Sequence, residues 1–236
     1  MPTSAEGFSA RADALKGDLV AQGRRVQAML EGAFEALFDR SIERASWAIA
    51  QDDEIDRHDV EIEHACVALL TDATRQGAEL APQQLRAVLM VVKVNNELER
   101  AADVATDIAT LAKDAPADQP PFPDTFRVMA NSVIGIVRDA NTAMARSDPA
   151  LANIVLQSQH AVTAFKDAVL RDAENRLATG AMRPDFAFLL HEIASACETV
   201  ADHCTNVAEQ VIYLTTGSIV RHMPTSWVQV GRTSAG

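Results

Sequence analysis

One phrase occurs twice in this chain, and that repeat restricts the available folds more than any other feature. The first copy runs Glu99-Arg100-Ala101-Ala102-Asp103-Val104-Ala105-Thr106-Asp107-Ile108-Ala109. The second runs Glu198-Thr199-Val200-Ala201-Asp202-His203-Cys204-Thr205-Asn206-Val207-Ala208. In each, an acid is followed four residues later by an acid, then four later by Asp or Asn, with apolar residues between. On an α-helix, positions i, i+4 and i+8 lie one above the other, so each copy predicts a vertical row of carboxylate or amide oxygens. Two copies, one near the end of each half, indicate an internal duplication.

Composition narrows the fold class. The 236 residues are 48% hydrophobic but only 5% aromatic. Alanine-rich sequence suits closely packed helices better than a β-sandwich, which draws on Val, Ile and aromatic rings. A formal net charge of −12 repels nucleic acid and anionic lipid and attracts cations or basic protein surfaces. Charged residues from Glu6 to Asp18 rule out a secretory apolar segment there. A purely apolar run such as Ala87 to Val92 is too short to span a bilayer. The expectation is a soluble, cytoplasmic protein. Cys66, Cys197 and Cys204 read as reduced thiols acting as small hydrophobes.

Proline marks the joints. Pro82, Pro149 and Pro184 each precede a periodic apolar segment, as at the first turn of a helix, and Asp148 is placed to cap the second of these. Gly77 and Gly180 close the preceding segments. The pattern predicts six helices, roughly 5–38, 41–76, 82–113, 124–147, 149–179 and 184–216. A seam of Ile193, Cys197, Val200, Cys204, Val207, Val211 and Leu214, at alternating spacings of four and three, runs along the last of them. The fold class is therefore all-α: two tandem antiparallel three-helix bundles related by duplication. The first takes residues 1–115 and the second 124–222, with a proline-rich linker at 116–123 and a flexible tail at 223–236.

Helix two carries its own row: Asp52, Asp56, Asp59 and Glu63. Packed antiparallel against Glu99, Asp103 and Asp107, it would bring six or seven carboxylates together. Metal ions, basic side chains or plain solvent would then have to neutralise them. Oxygen-rich clusters suit Mg, Mn, Ca or Fe, and His58 or His64 nearby would favour iron or zinc. In the second half, Glu198, Asp202, Asn206 and Glu209 share a face, but the fifth helix offers only Gln159, Thr163 and Lys166 in return. Arg100 is a candidate ion-pair partner for the acids, and His203 reads as a metal neighbour, a cap or a surface histidine. Glu61-Ile62-Glu63-His64 contains one Glu-x-x-His, and a di-iron-type helical oxidase needs two. No phosphate-cradling GxxxxGK[ST] loop occurs.

The two phrases, Asp52-x-x-Ile55-Asp56, Ala65-Cys66, Leu85-Arg86 and the closing Asp202-His203-x-x-Asn206-Val207-x-Glu209-x-Val211-Ile212-Tyr213-Leu214-x-x-Gly217 resemble the PhoU family, the accessory proteins of phosphate-specific transport systems. The likeness runs from about residue 10 to residue 222. It implies a pair of PhoU-type bundles and a non-enzymatic cytoplasmic regulator. Such a protein links the phosphate ABC transporter, through its ATPase subunit, to a sensor histidine kinase and represses the phosphate-starvation response. A homodimer is implied, and so are iron, zinc, manganese or magnesium ions on the acidic faces. Carried over by position, the ligands would be Asp52, Asp56, Asp59, Glu99, Asp103 and Asp107, then Glu198, Asp202, Asn206 and Glu209. An accessory protein of a low-affinity phosphate transporter is the related alternative. The chain departs from the family phrase Glu-Arg-Ile-Gly-Asp, reading Glu-Arg-Ala-Ala-Asp and Glu-Thr-Val-Ala-Asp, which marks a divergent member.

Overall fold

The computed structural model describes residues 5–116, 118 and 120–220. Within them the chain forms α1 (Ala5–Asp39), α2 (Ile42–Ala50), α3 (Asp52–Arg75), α4 (Pro82–Asp114), α5 (Asp124–Arg146), α6 (Pro149–Ala178) and α7 (Pro184–Thr216). No strand occurs among the described residues. The expected tail at 223–236 lies outside them.

Local chemistry sets the helix ends. Pro82, Pro149 and Pro184 occupy the first turns of α4, α6 and α7, where a missing N–H costs nothing. Asp148 caps α6 by accepting from the amides of Ala150 and Leu151 at 2.9 and 3.1 Å. Gly77, Gly180 and Gly217 take φ of 62°, 69° and 72° just beyond helix ends, the left-handed conformation that stops a helix.

One expectation fails. The helix read over 41–76 is broken at Gln51, which ends α2 and precedes α3. The break follows from charge: Asp52, Asp53 and Glu54 form the first turn of α3, where the exposed amides and positive end of a helix dipole favour acids. Inside a continuous helix the same three acids would only repel one another.

α1 packs against α2, α3 and α4, and α6 and α7 pack with α5. The two sets meet where α4 lies on α7 and α1 on α5. Their buried side chains form one contiguous apolar core. Phe34 and Phe38 of α1, Phe122 of the linker, Phe126 of α5 and Phe186 of α7 form a chain of rings across the junction. α1 and α5 approach closely at Gly23, where a Cβ would fall 1.8 Å from Asn141 Oδ1. Cys66, Cys197 and Cys204 are buried free thiols, and burial pushes the last two up to about 12. No helix among the described residues is long and apolar enough to cross a membrane.

Candidate functional site

The acidic rows of α3 and α4 face each other, as antiparallel packing of these helices requires. Asn95, on the buried side of α4, donates its Nδ2 to Asp59 Oδ1 at 2.6 Å and to the Asp59 carbonyl at 2.9 Å. About three turns further along α4, Thr106 Oγ1 donates to Asp52 Oδ1 at 3.1 Å. These three bonds fix the register and hold Asp56, Glu99 and Asp103 between them.

The electrostatics record the crowding. Partial burial, then the charges of Asp103, Asp59 and Asp56, push the Glu99 carboxyl above its ordinary value. Asp103 is raised by burial and by Asp56 and Asp107. Burial also raises Asp59, with Glu63 and Asp56 adding to it. Asp52 is raised by burial and by Asp56, Asp103 and Asp53, against the pull of its bond from Thr106. Arg100 draws Glu99 and Asp103 part of the way back. Six of the sequence-nominated residues, Asp52, Asp56, Asp59, Glu99, Asp103 and Asp107, therefore form one field of like charge. Among the described residues, no three His, Cys, Asp or Glu side chains stand at metal-ligand spacing.

A carboxyl raised in the native state binds its proton more tightly there than in the unfolded chain. Its contribution to stability thus falls as pH rises through the raised native value and recovers as pH is lowered towards the ordinary one. Asp103→Asn should raise the melting temperature at pH 7 by on the order of 1–2 °C in metal-free buffer, since it removes like-charge pairs worth a few tenths of a kcal/mol each. The gain should shrink at about pH 4, where the wild-type carboxyl takes up its proton. Differential scanning fluorimetry at the two pH values checks this. A loss of stability at neutral pH would show the row to be compensated.

The second row is built differently. Lys166 Nζ donates to Glu198 Oε2 at 2.7 Å and Thr163 Oγ1 to Glu198 Oε1 at 2.9 Å, so both carboxylate oxygens are engaged. Gln159 Nε2 donates to Asp202. The hydrogen bond and charge of Lys166 hold the Glu198 carboxyl below its usual range, opposite to Glu99. Asn206 turns away and donates to Glu97 Oε2 at 3.0 Å. Glu209 borders a separate groove with Lys93, Gln210 and Tyr213. The four nominated residues are not gathered at one place.

Sequence reasoning missed Glu97. Its carboxylate lies 2.8 Å from His203 Nδ1 and links α4 to α7. Burial pushes Glu97 up, but the hydrogen bonds from His203 and Asn206 outweigh it and hold the carboxyl below the usual range. His203, with 13% of its side chain exposed, is neither a cap nor a surface histidine. No signal in the sequence marks Glu97, because its partners lie in the other half. The Glu-x-x-His of α3 does not join the acidic field: Glu61 pairs with His58 at 3.0 Å, and His64 is exposed.

A family model for the PhoU domain matches residues 19–112 and 126–211. The chain is 29% identical over 218 residues to a phosphate-specific transport system accessory protein PhoU homolog of Pseudomonas putida, covering 92% of this chain and 83% of the relative. It is 27% identical over 205 residues to PhoU homolog 1 of Thermotoga maritima, covering 86% of each. Among solved structures, PhoU from Pseudomonas aeruginosa superposes with a TM-score of 0.83 at 26% identity, over 89% of this chain and all of the other. The PhoU regulatory protein of Streptococcus pneumoniae gives 0.83 at 20% identity over 91% of this chain and all of its own, a likeness of fold. Both halves carry the domain at low identity throughout, and the chain belongs to the PhoU family as a divergent member.

Proposed function

We propose that this protein is a non-enzymatic regulator of phosphate transport. In this reading it represses the phosphate-starvation response from the cytoplasm by linking a phosphate ABC transporter, through its ATPase subunit, to a sensor histidine kinase. The observation that carries the reading is the match of both halves to the PhoU domain, together with near full-length likeness to relatives named as transport-system accessory proteins. An all-helical protein with a net charge of −12 offers long rigid faces suited to docking, and self-association as a homodimer is part of the reading.

The first acidic row has the charge to attract a cation, although its side chains would have to draw together to ligate one, since no three of those described stand at metal-ligand spacing. Six carboxylates lie in one field, and four of them have raised pKa values. Asp52, Asp56, Asp59, Glu99, Asp103 and Asp107 would hold it, and magnesium, manganese, iron or zinc would supply positive charge there. The second row does not fit, because Lys166 and Thr163 already take both oxygens of Glu198. A tethered ammonium stands where a free cation would have to bind.

The test is complementation. In a bacterium deleted for its own regulator, expression of this chain should restore silence of a phosphate-starvation reporter in high phosphate. Repression should fail when the ATPase subunit is also deleted, and the reporter should stay silent with or without this chain when the sensor kinase is deleted. A reporter that stays on, despite folded protein in the cell, would overturn the proposal. Repression that survives loss of the ABC transporter would move the protein to a low-affinity transporter.

A further inference from the structure

The acidic row of α4 is the lower part of a longer line. Leu85, Leu89, Val92, Asn96, Glu99, Asp103 and Asp107 recur at spacings of four, three, four, three, four and four, which keeps them on one side of the helix. The core side chains of α4, among them Val91, Leu98, Ala102, Ala105 and Ala109, point elsewhere. The first three members of the line are apolar yet stand in solvent, with Leu85 43%, Leu89 50% and Val92 37% exposed. The last three are acids whose mutual repulsion is written in their raised or raising charges. One edge of α4, exposed at Leu85, Leu89 and Val92 and bordering α3 at its acidic end, thus changes from apolar to anionic along its length.

Single exposed apolar side chains mean little, but Leu85, Leu89 and Val92 at helical spacing on one face form a patch that water covers at a cost. The pattern also limits what can cover it. A second copy of this chain is a poor occupant. Two such lines packed antiparallel set leucine against carboxylate, and packed parallel they set carboxylate against carboxylate, between molecules that each carry a charge of −12. A complementary occupant has apolar side chains at one end and ammonium or guanidinium groups at the other. The spacing of three and four on this face calls for the same spacing on the partner, as when helices pack lengthwise.

We propose that this edge of α4 is a docking surface for a helical segment of a partner protein, apolar at one end and basic at the other. The apolar end meets Leu85, Leu89 and Val92, and the basic end meets Glu99, Asp103 and Asp107. The proposal rests on the adaptor reading and identifies where one of its partners sits. It carries a consequence: a divalent cation on the acids and the basic end of the partner compete for the same carboxylates. A contact along one helix face is small, so the association is transient and salt-sensitive.

The test uses the full-length protein and three fluorescent synthetic helical peptides. One has leucine at three successive turns followed by lysine at the next three. Another has the same composition scrambled. In the third, glutamate replaces lysine. Fluorescence anisotropy should show binding of the first alone, weakened by salt and by manganese chloride. Leu85→Ser/Leu89→Ser should abolish binding without changing the melting temperature, because both side chains are exposed. Glu99→Gln/Asp103→Asn should weaken it and remove the manganese effect. Equal binding of the scrambled peptide, or an unaffected serine variant, would overturn the proposal. So would sedimentation showing that Leu85→Ser/Leu89→Ser dissolves a dimer, since the line would then face a second copy. Peptide binding by a protein that fails the complementation test would sink the adaptor reading and leave this surface standing.

Discussion

Phe126→Ala is expected to lower the free energy of unfolding by about 3–5 kcal/mol, the cost of deleting a fully buried aromatic ring. Phe126 has no solvent exposure. Its ring centroid lies 6.2 Å from Phe38 of α1 and 5.2 Å from Phe122 of the linker, and Phe122 in turn contacts Phe186 of α7 at 5.5 Å. The ring therefore sits where the two halves meet, not inside one of them. Neighbouring rings gain further from edge-to-face geometry, as Phe38 and Phe126 do at 69°. Because the core is contiguous, the loss should appear as a single shift of the urea midpoint, seen equally by circular dichroism and by intrinsic fluorescence. Phe126→Leu should recover most of it, since leucine refills much of the space. A loss below about 1 kcal/mol would mean that the rings can close over the gap.

Glu97→Ala is expected to cost about 1.5–3 kcal/mol, the range for hydrogen bonds to a charged group. The Glu97 carboxylate serves His203 and Asn206 together, at 2.8 and 3.0 Å. Removing it leaves two half-buried polar groups of α7 without their partner. Glu97→Gln keeps an acceptor for Asn206 and should cost less than the alanine change. The pH dependence has the opposite sign to that of the first acidic row. A carboxyl held below its ordinary value stabilises the native state above that value, and the contribution disappears as pH falls through the native one. Chemical denaturation of wild type and Glu97→Gln at pH 7 and at about pH 3 should show the two curves converging in acid. If the gap persists there, the contact is packing and not charge.

These two predictions concern the same junction, and the sequence hardly shows it. Helix identity was legible because it depends on neighbours a few residues apart: prolines at first turns, glycines after last turns, and an apolar seam at three and four. The break at Gln51 was legible in principle, since Asp52-Asp53-Glu54 is a helix start, but strong periodicity on both sides concealed it. The facing of the first two acidic rows could be anticipated from antiparallel packing alone. Their register could not, because it is set by Asn95 and Thr106, polar residues with no mark of importance in the sequence. In the second half, the repeated phrase hides a difference of partner: Lys166 and Thr163 on α6 settle what Glu198 does.

The sequence by itself determined the helices, the duplication and the side of each helix that carries acid, since these depend on spacing along one chain. Only the tertiary structure decided which acids share a field, which are already neutralised, and that Glu97 reaches across to His203. The reason is physical: a carboxylate's energy is governed by charges and donors within a few ångströms, and those come from helices far apart in sequence.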